Sequence, residues 1–193
     1  KVVAKAGDVA DTCVVVVGPA PVEYAIQVYN PAKDGMLNVN SLNCADIFGD
    51  GKLSYDPEEK VLTLNNLVMD CGGYYGIINN DVDGLTVNLL GDNVLVGHSA
   101  TALRLYTSTT IAGGGKLTAS SENNDGCYIS SGTLTINACE LVMQGKWGLE
   151  GNGNALIINE GAHITAIGTS STGNAAGSIL GYGSITLNGV QIL

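Results

Sequence analysis

The sequence predicts an all-β protein, a single-stranded right-handed parallel β-helix of about six coils with an N-terminal β-hairpin cap. Three observations lead to this fold class. The 193 residues include 27 glycines and only 13% charged residues, too few for the exposed faces of a helix-rich protein. All four prolines lie within the first 57 residues, as expected if the remainder needs every backbone N–H for strand pairing. One short apolar motif recurs every 22 to 29 residues through that remainder.

The recurring motif has the form Leu-Thr-Leu-Asn and supplies one strand of each predicted coil. A second alternating segment follows it, with apolar pairs such as Leu67/Met69 and Val94/Val96. A third short apolar segment, often opened by glycine, precedes most copies. Three short strands per repeat, with no helical period between them, describe one coil of a parallel β-helix. Alternation places Leu62 and Leu64 in the core and Thr63 outside. The six copies span residues 62–65, 85–88, 109–112, 134–137, 156–159 and 185–188.

Asparagine and threonine occupy fixed places in the motif. Asparagine is expected at the corners, because it tolerates the left-handed backbone conformation and its stacked amides can hydrogen-bond along the helix axis. Threonine favours strands and is expected to form an outward row. Both ladders are interpreted as structural. Five of six copies carry the asparagine: Asn65, Asn88, Asn137, Asn159 and Asn188.

The N-terminal region has a different pattern. Alternating segments at residues 25–29 and 36–40 flank a turn-rich connection, and a second pair at 53–55 and 61–64 flanks another, so two hairpins are predicted. We expect residues 24–60 to form a β-cap that covers the N-terminal end of the solenoid. Together with the β-helix of residues 61–193 it would make one domain. Residues 1–23 are expected to be an extra strand, at 14–17, or a linker.

The run SLNCADIFGDGKLSYDPEEKVLTLNN, followed by LTVNLLGDNVL, LTINACELVM and ITLNGV, carries a family resemblance. It resembles the repeat-bearing domain of bacterial secreted and cell-surface proteins that are described as carbohydrate-binding, within the pectin-lyase-like β-helix group. The resemblance covers residues 24–193. It implies an extracellular or bacterial cell-surface location, although the first residues lack the order of a signal peptide, so no signal is expected in this chain.

Composition restricts the partners. A formal charge of −10 argues against nucleic acid, because phosphate binding needs clustered Lys and Arg. No apolar run approaches the roughly 18 residues that span a bilayer, so no membrane span is predicted. A polysaccharide or glycan is the expected partner. The last predicted coil ends on Val190, Ile192 and Leu193 without a polar segment, which favours a neighbouring domain or an end-to-end dimer there.

The five cysteines are interpreted as small buried hydrophobic residues. Their odd number leaves at least one thiol free or paired between chains, and none lies in a CxxC pair. The disulfide state and the oligomeric state stay open.

The sequence favours a protein that is not an enzyme. Polysaccharide lyases need a carboxylate cluster for Ca²⁺ and a basic residue, yet the only arginine, Arg104, has no acidic pair beside it in sequence. Glycoside hydrolases need two or three carboxylates in one cleft, and Asp81 and Asp83 lie in a polar turn. A β-helix lyase or glycoside hydrolase remains the alternative, and it would show carboxylates converging on one strand face.

No cofactor is expected, with Ca²⁺ as the one alternative. Asn79, Asp81 and Asp83, followed by Gly84, have the oxygen spacing of the first half of a calcium loop. The twelfth position is Leu90 instead of a bidentate acid, so a turn that uses Asp and Gly for backbone reasons is the favoured interpretation.

Exposed aromatic rings that stack on sugar rings are the usual basis of glycan binding. The candidates are Tyr75, Tyr128 and Trp147, with Tyr74, Tyr106 and Tyr182 near the same region of the coil. The competing interpretation is that these rings cover apolar edges at turns. The function expected from the sequence is a noncatalytic extracellular or cell-surface module that binds carbohydrate or serves as an adhesion or spacer domain.

Overall fold

A computed structural model describes residues 2–6, 9–13, 18–170 and 178–190, with side chains from residue 18 onward. The described residues form strands, turns and bends but no helix, which confirms the all-β class. None of these residues, therefore, belongs to a helix capable of crossing a membrane.

Three antiparallel hairpins come first along the chain. The first lies within residues predicted to be a strand or linker, and the strand predicted at 14–17 falls outside the described residues. The other two occur where the sequence predicts them, and each joins the edge of a larger sheet. In one, residues 23–30 pair with residues 77–79, and in the other, residues 53–56 pair with residues 61–65. The strands are β1 (Val2–Ala6), β2 (Val9–Cys13), β3 (Glu23–Asn30), β4 (Gly35–Asn40), β5 (Leu53–Asp56) and β6 (Val61–Asn65).

From β6 onward the chain winds as stacked coils, and each coil adds one parallel strand to each of three sheets. The first sheet continues from β6 with β9 (Leu85–Leu90), β12 (Thr109–Ala112), β15 (Thr133–Ile136), β18 (Ala155–Asn159) and β21 (Ser184–Asn188). The second contains β7 (Val68–Asp70), β10 (Asp92–Gly97), β13 (Lys116–Ser121), β16 (Glu140–Gly145) and β19 (His163–Gly168). The third contains β8 (Ile77–Asn79), β11 (Leu103–Leu105), β14 (Cys127–Ile129), β17 (Leu149–Glu150) and β20 (Ile179–Leu180). The predicted parallel β-solenoid is thus confirmed.

The predicted number of coils was wrong. The five strands of the second sheet are joined by four parallel steps, so the solenoid has about four turns instead of six. Six motif copies overcount the turns for two reasons. The first copy lies in β6, which is also the partner of the antiparallel strand β5, and the last copy forms β21 with no further complete turn among the described residues.

The core is a column of inward side chains, as the alternation predicts. Leu62 and Leu64 are fully buried, whereas Thr63 between them is partly exposed. The pair Val94/Val96 was assigned to the wrong phase, because Leu95 is buried and the two valines flank it on the outer side. A one-residue error of this kind turns every side chain of a strand to the other face.

The cause of that error is Asn93, a polar residue at an inward position. Its Oδ1 accepts the Leu67 N–H at 3.0 Å, and its Nδ2 donates to the Leu90 and Lys116 carbonyls at 3.2 and 3.1 Å. The side chain therefore joins three consecutive coils, and the hydrogen bonds offset the cost of burying an amide.

The asparagine ladder forms over three coils only. Asn159 Nδ2 donates to Asn137 Oδ1 at 2.6 Å, and Asn188 Nδ2 donates to Asn159 Oδ1 at 2.7 Å. The first copy of the motif is displaced by two residues, because Thr63 pairs with Asn88 instead of Thr86. The prediction that the ladder asparagines adopt the left-handed conformation at the corners is wrong. That conformation falls on following residues, such as Asn66 (φ 51°) and Ala138 (φ 40°).

The cysteine interpretation holds for three thiols. Among the described side chains, Cys71, Cys127 and Cys139 are buried and free, and Cys44 is free and partly exposed. Burial raises the pKa of Cys71 to about 12 and that of Cys139 to about 11, so these thiols are poor nucleophiles.

Candidate functional site

The outer face of the third sheet carries one residue from each coil. Each strand of this sheet is short, and its outward residues lie side by side in parallel register, one strand spacing of roughly 4.8 Å apart. The row that results is neither uniform nor apolar. In order along the axis it contains Ile78, Arg104, Tyr128, Glu150 and Leu180.

Three tyrosine rings surround the guanidinium group of Arg104. The Arg104 Cζ atom lies 4.7 Å from the ring centroid of Tyr128, 5.0 Å from that of Tyr106 and 5.3 Å from that of Tyr75. Arg104 Nε also donates a hydrogen bond of 2.7 Å to the Tyr106 hydroxyl. These distances are within the range of cation–π attraction. We call these four residues the tyrosine–arginine cluster.

The cluster draws its members from three consecutive coils. Tyr75 lies in the turn before β8, Tyr106 directly follows β11, and Tyr128 is in the middle of β14. Tyr106 is 36% exposed, while Tyr75, Arg104 and Tyr128 are partly buried. Stacking of the coils therefore brings together rings that are separated by more than twenty residues in sequence.

Two carboxyl groups meet beside the cluster. Asp125, in the turn before β14, is only 2% exposed, and Glu150 in β17 is partly buried. Each carboxyl group alters the pKa of the other. Asp125 Oδ2 accepts a 3.4 Å hydrogen bond from the Thr101 hydroxyl, whereas no described N–H or hydroxyl group donates to Asp125 Oδ1.

The pKa of each carboxyl group is raised, chiefly by burial. The pKa of Glu150 is raised to about 7, by desolvation first and then by the hydrogen bond to Asp125 and its charge. Desolvation also raises the pKa of Asp125, although the hydrogen bond from Glu150 opposes it. Lys146 and Arg104 lower the pKa of both groups without overcoming burial. Both carboxyl groups are therefore harder to ionise than isolated ones.

Glycine is required where the turns approach the neighbouring backbone. A Cβ atom on Gly126 would lie 2.8 Å from the Ala119 carbonyl oxygen, and one on Gly148 would lie 2.5 Å from the Met143 carbonyl oxygen. Gly126 N–H donates to the Trp147 carbonyl at 3.1 Å. These close approaches fix the positions of the residues just before the two glycines, Asp125 and Trp147.

The structure brings together only some of the predicted sugar-binding residues. Tyr75 and Tyr128 belong to the cluster, and the Trp147 ring has Lys146 Nζ at 4.5 Å from its centroid. Tyr74 lies elsewhere, stacked on Tyr29 at 5.5 Å.

Three residues of the site were missed by sequence reasoning: Arg104, Asp125 and Glu150. A usable signal existed, because Arg104, Tyr128 and Glu150 occupy the same place in the third segment of successive repeats. Aligning that segment, instead of the Leu-Thr-Leu-Asn motif alone, would have placed them side by side.

The calcium candidates are arranged as a turn. Asn79 is fully buried, its Nδ2 donates to the Val82 carbonyl at 3.0 Å, and its Oδ1 accepts the Val82 N–H at 2.9 Å. Asp81 and Asp83 are exposed, and Asp83 Oδ1 accepts the Ser108 N–H at 3.2 Å. No group of three or more His, Cys, Asp or Glu side chains suited to a metal occurs in the part of the chain that is described. Calcium binding at these residues stays the untested alternative to a purely structural turn.

A second ionic cluster follows the second sheet. His98 Nε2 lies 3.0 Å from Asp70 Oδ1, and its Nδ1 lies 3.1 Å from Glu122 Oε1. The hydrogen bond to Asp70, followed by that to Glu122, raises the pKa of His98. The three side chains come from successive coils and are all well exposed, so this cluster is interpreted as a surface charge ladder.

Comparison with known proteins adds no relative. No protein-family model, curated protein or solved structure matches the chain.

Proposed function

We propose that this protein is a noncatalytic extracellular or cell-surface module that binds carbohydrate at the tyrosine–arginine cluster. One observation carries the proposal: three tyrosine rings from consecutive coils surround a single guanidinium group on the outer face of the third sheet. The location rests on the family resemblance of residues 24–193.

The chemistry of the cluster suits a sugar. Aromatic faces stack on the apolar faces of pyranose rings, and a guanidinium group offers N–H donors in a planar fork to hydroxyl oxygens. Only the Nε donor of Arg104 is needed for the bond to Tyr106. Glu150 continues the outward row one strand beyond Tyr128, and the partly buried Trp147 precedes the Glu150 strand, so these two residues would extend the contact with an oligosaccharide.

A glycan array with the purified chain tests the proposal. We expect a reproducible hit that is weakened about tenfold by Tyr128→Ala, the loss of one stacking contact. A smaller loss is expected for Trp147→Ala, with the fold intact. Tyr74→Ala is the matched control, because that ring stacks on Tyr29 outside the cluster. A blank array, or equal losses for Tyr128→Ala and Tyr74→Ala, would overturn the proposal in favour of an adhesion or spacer domain.

The same array tests calcium. Binding that disappears on chelation would implicate Asn79, Asp81 and Asp83, and binding that is unchanged would make calcium irrelevant to this site.

A polysaccharide-active enzyme is the second candidate, and the converging carboxyl groups of Asp125 and Glu150 favour it. A raised pKa suits a general acid. Asp125 is, however, only 2% exposed, whereas a hydrolase needs both carboxyl groups open to the scissile bond. Binding is therefore the primary proposal. Release of reducing ends from a bound oligosaccharide, lost in Asp125→Asn, would reverse that preference.

We also propose roles for the two ends of the solenoid. The β3–β4 hairpin and β5 would act as the N-terminal cap, since they occupy the edges of the third and first sheets. At the other end, Ile179, Ile185 and Leu187 are exposed, with Ile185 at 51%. A neighbouring domain or a second copy would cover them, and a clean monomer in sedimentation would remove the dimer.

A further inference from the structure

Arg104 is a partly buried cation that has no anionic partner among the described residues. The other partly buried basic side chains of this part of the chain each contact a carboxylate, Lys116 with Glu140 Oε1 at 2.6 Å and His98 with Asp70 Oδ1 at 3.0 Å. No carboxylate oxygen of the described residues lies within 4.0 Å of the Arg104 nitrogens. A charge that has lost part of its water shell is normally paired, so the unpaired state of Arg104 calls for an explanation.

The protein uses little of the hydrogen-bonding capacity of this guanidinium group. Arginine carries five N–H donors, one of them on Nε and the rest on the two terminal nitrogens. In the described structure only Nε donates, to the Tyr106 hydroxyl at 2.7 Å. The contacts with the Tyr75 and Tyr128 rings use the positive charge of the group and not its N–H donors. The terminal N–H groups are therefore open to an acceptor from outside the chain.

The acidic residue in the same outward row does not reach Arg104. Tyr128 lies between Arg104 and Glu150 in register, so Glu150 is two strand spacings away, about 9.6 Å along the axis. Asp125, in the turn before β14, is only 2% exposed and accepts a hydrogen bond from the Thr101 hydroxyl. Neither acid forms an ion pair with Arg104 that an incoming anion would have to displace.

The charge of the whole chain works against a general attraction of anions. The formal charge is −10, so the long-range field of the protein repels them. Arg104 is the only arginine, and arginine presents a planar fork that can donate to two oxygens of one anion. A preference for an anionic ligand would therefore have to come from this local geometry and not from the overall charge.

We propose that the ligand of the tyrosine–arginine cluster is an acidic oligosaccharide, whose carboxylate or sulfate group is bound by the terminal N–H groups of Arg104 while a neighbouring sugar ring stacks on Tyr128. This inference rests on the proposed function, because it names the class of carbohydrate that the cluster takes. Glu150 limits the charge of the ligand, since a second anionic group one strand beyond Tyr128 would be repelled. The site therefore favours one charged sugar at a defined position over a uniformly charged chain.

A glycan array printed in matched sets tests this inference. Each oligosaccharide is presented in a neutral form, with one uronic acid residue, with one sulfate ester, and with two acidic residues. We expect a set in which a singly charged form binds about tenfold more tightly than the neutral form, through hydrogen bonds to a charged group. The uronic acid and sulfate arms identify which anion is preferred. Raising the ionic strength from about 0.01 M to about 1 M should weaken the preference, because the screening length falls from roughly 30 Å to roughly 3 Å.

Two substitutions should move the charge preference in different ways. Arg104→Gln should remove the preference for the singly charged form, and Glu150→Gln should strengthen binding of the form with two acidic residues. Lys116→Gln is the matched control, because it removes one positive charge from a partly buried side chain on the second sheet and should leave the preference unchanged. Tyr128→Ala should weaken the neutral and acidic forms alike.

Equal binding of neutral and acidic forms by the unaltered chain would overturn this inference and leave carbohydrate binding standing. A charge preference that persists in Arg104→Gln would overturn it as well. Unchanged discrimination against the doubly charged form in Glu150→Gln would refute the limit that Glu150 sets, and this readout does not depend on the folding of the Arg104 variant. A blank array for every form would refute the proposed function and this inference together.

Discussion

The outer faces of the first and third sheets differ sharply although their backbones repeat in the same way. In the first sheet the outward row is Thr86, Thr110, Thr135, Ile157 and Thr186, four of them the same residue. In the third sheet the corresponding row changes at every coil and includes Arg104, Tyr128 and Glu150. Strand propensity alone explains the uniform row, because threonine favours strands. The varied row needs another explanation, and it is the one that holds the candidate site.

The largest effect should be the same for both sheets, because they share one core. Leu103 in the third sheet and Leu134 in the first are both fully buried. Replacing either by alanine should lower the free energy of unfolding by about 2–5 kcal/mol, through lost burial and the cavity that remains. Urea unfolding measures the loss. A loss confined to one of the two variants would show that the sheets do not share a core.

A smaller effect is expected from the asparagine ladder at the end of the strands of the first sheet. Asn159 donates to Asn137 and accepts from Asn188. Asn159→Ala should cost about 1–2 kcal/mol of stability, since it removes two hydrogen bonds. Asn88→Ala is the control, because its single bond to Thr63 is long, at 3.5 Å. Equal losses for the two variants in thermal or urea unfolding would contradict the ladder's contribution.

The smallest effect concerns His98 and extends the comparison to the second sheet. The folded-state pKa of His98 is raised by Asp70 and Glu122. Its stabilising contribution is therefore complete below the unfolded pKa of about 6.5 and is lost as the pH rises through the folded value. Unfolding measured from pH 5.5 to 8.5 should show a decline that is shallower in His98→Gln. An identical decline in both proteins would show that His98 contributes nothing.

Much of the fold could be predicted because the repeat is visible in the sequence. The period, the three strands per coil and the inward leucines all follow from alternation. The displaced register of Thr63 could not be found, since its motif looks like the later copies and only the pairing with Asn88 reveals the shift. The phase of Val94/Val96 failed because Asn93, a polar residue, occupies an inward position that hydropathy assigns to the surface.

The aromatic residues of the candidate site could be predicted from the sequence, whereas its charged residues could not. Tyr75 and Tyr128 are candidates from the sequence because aromatic residues near glycines are conspicuous there. The sequence shows no acidic residue beside Arg104, yet Arg104 lowers the pKa of Asp125 and Glu150, which lie in the next two coils. In a solenoid the neighbours of a residue lie a full coil away along the chain, so local sequence context is a poor guide to chemistry.

The one-residue-per-coil row on the third sheet also has a consequence for redesign. Because each coil contributes a single outward position there, duplicating a coil would lengthen the row by one strand spacing of about 4.8 Å and leave the rest of the backbone path intact. Exchanging one coil for another would replace one residue of this row. The number of coils that carry a ring would then set the length of the aromatic surface, and each position along it could be changed separately.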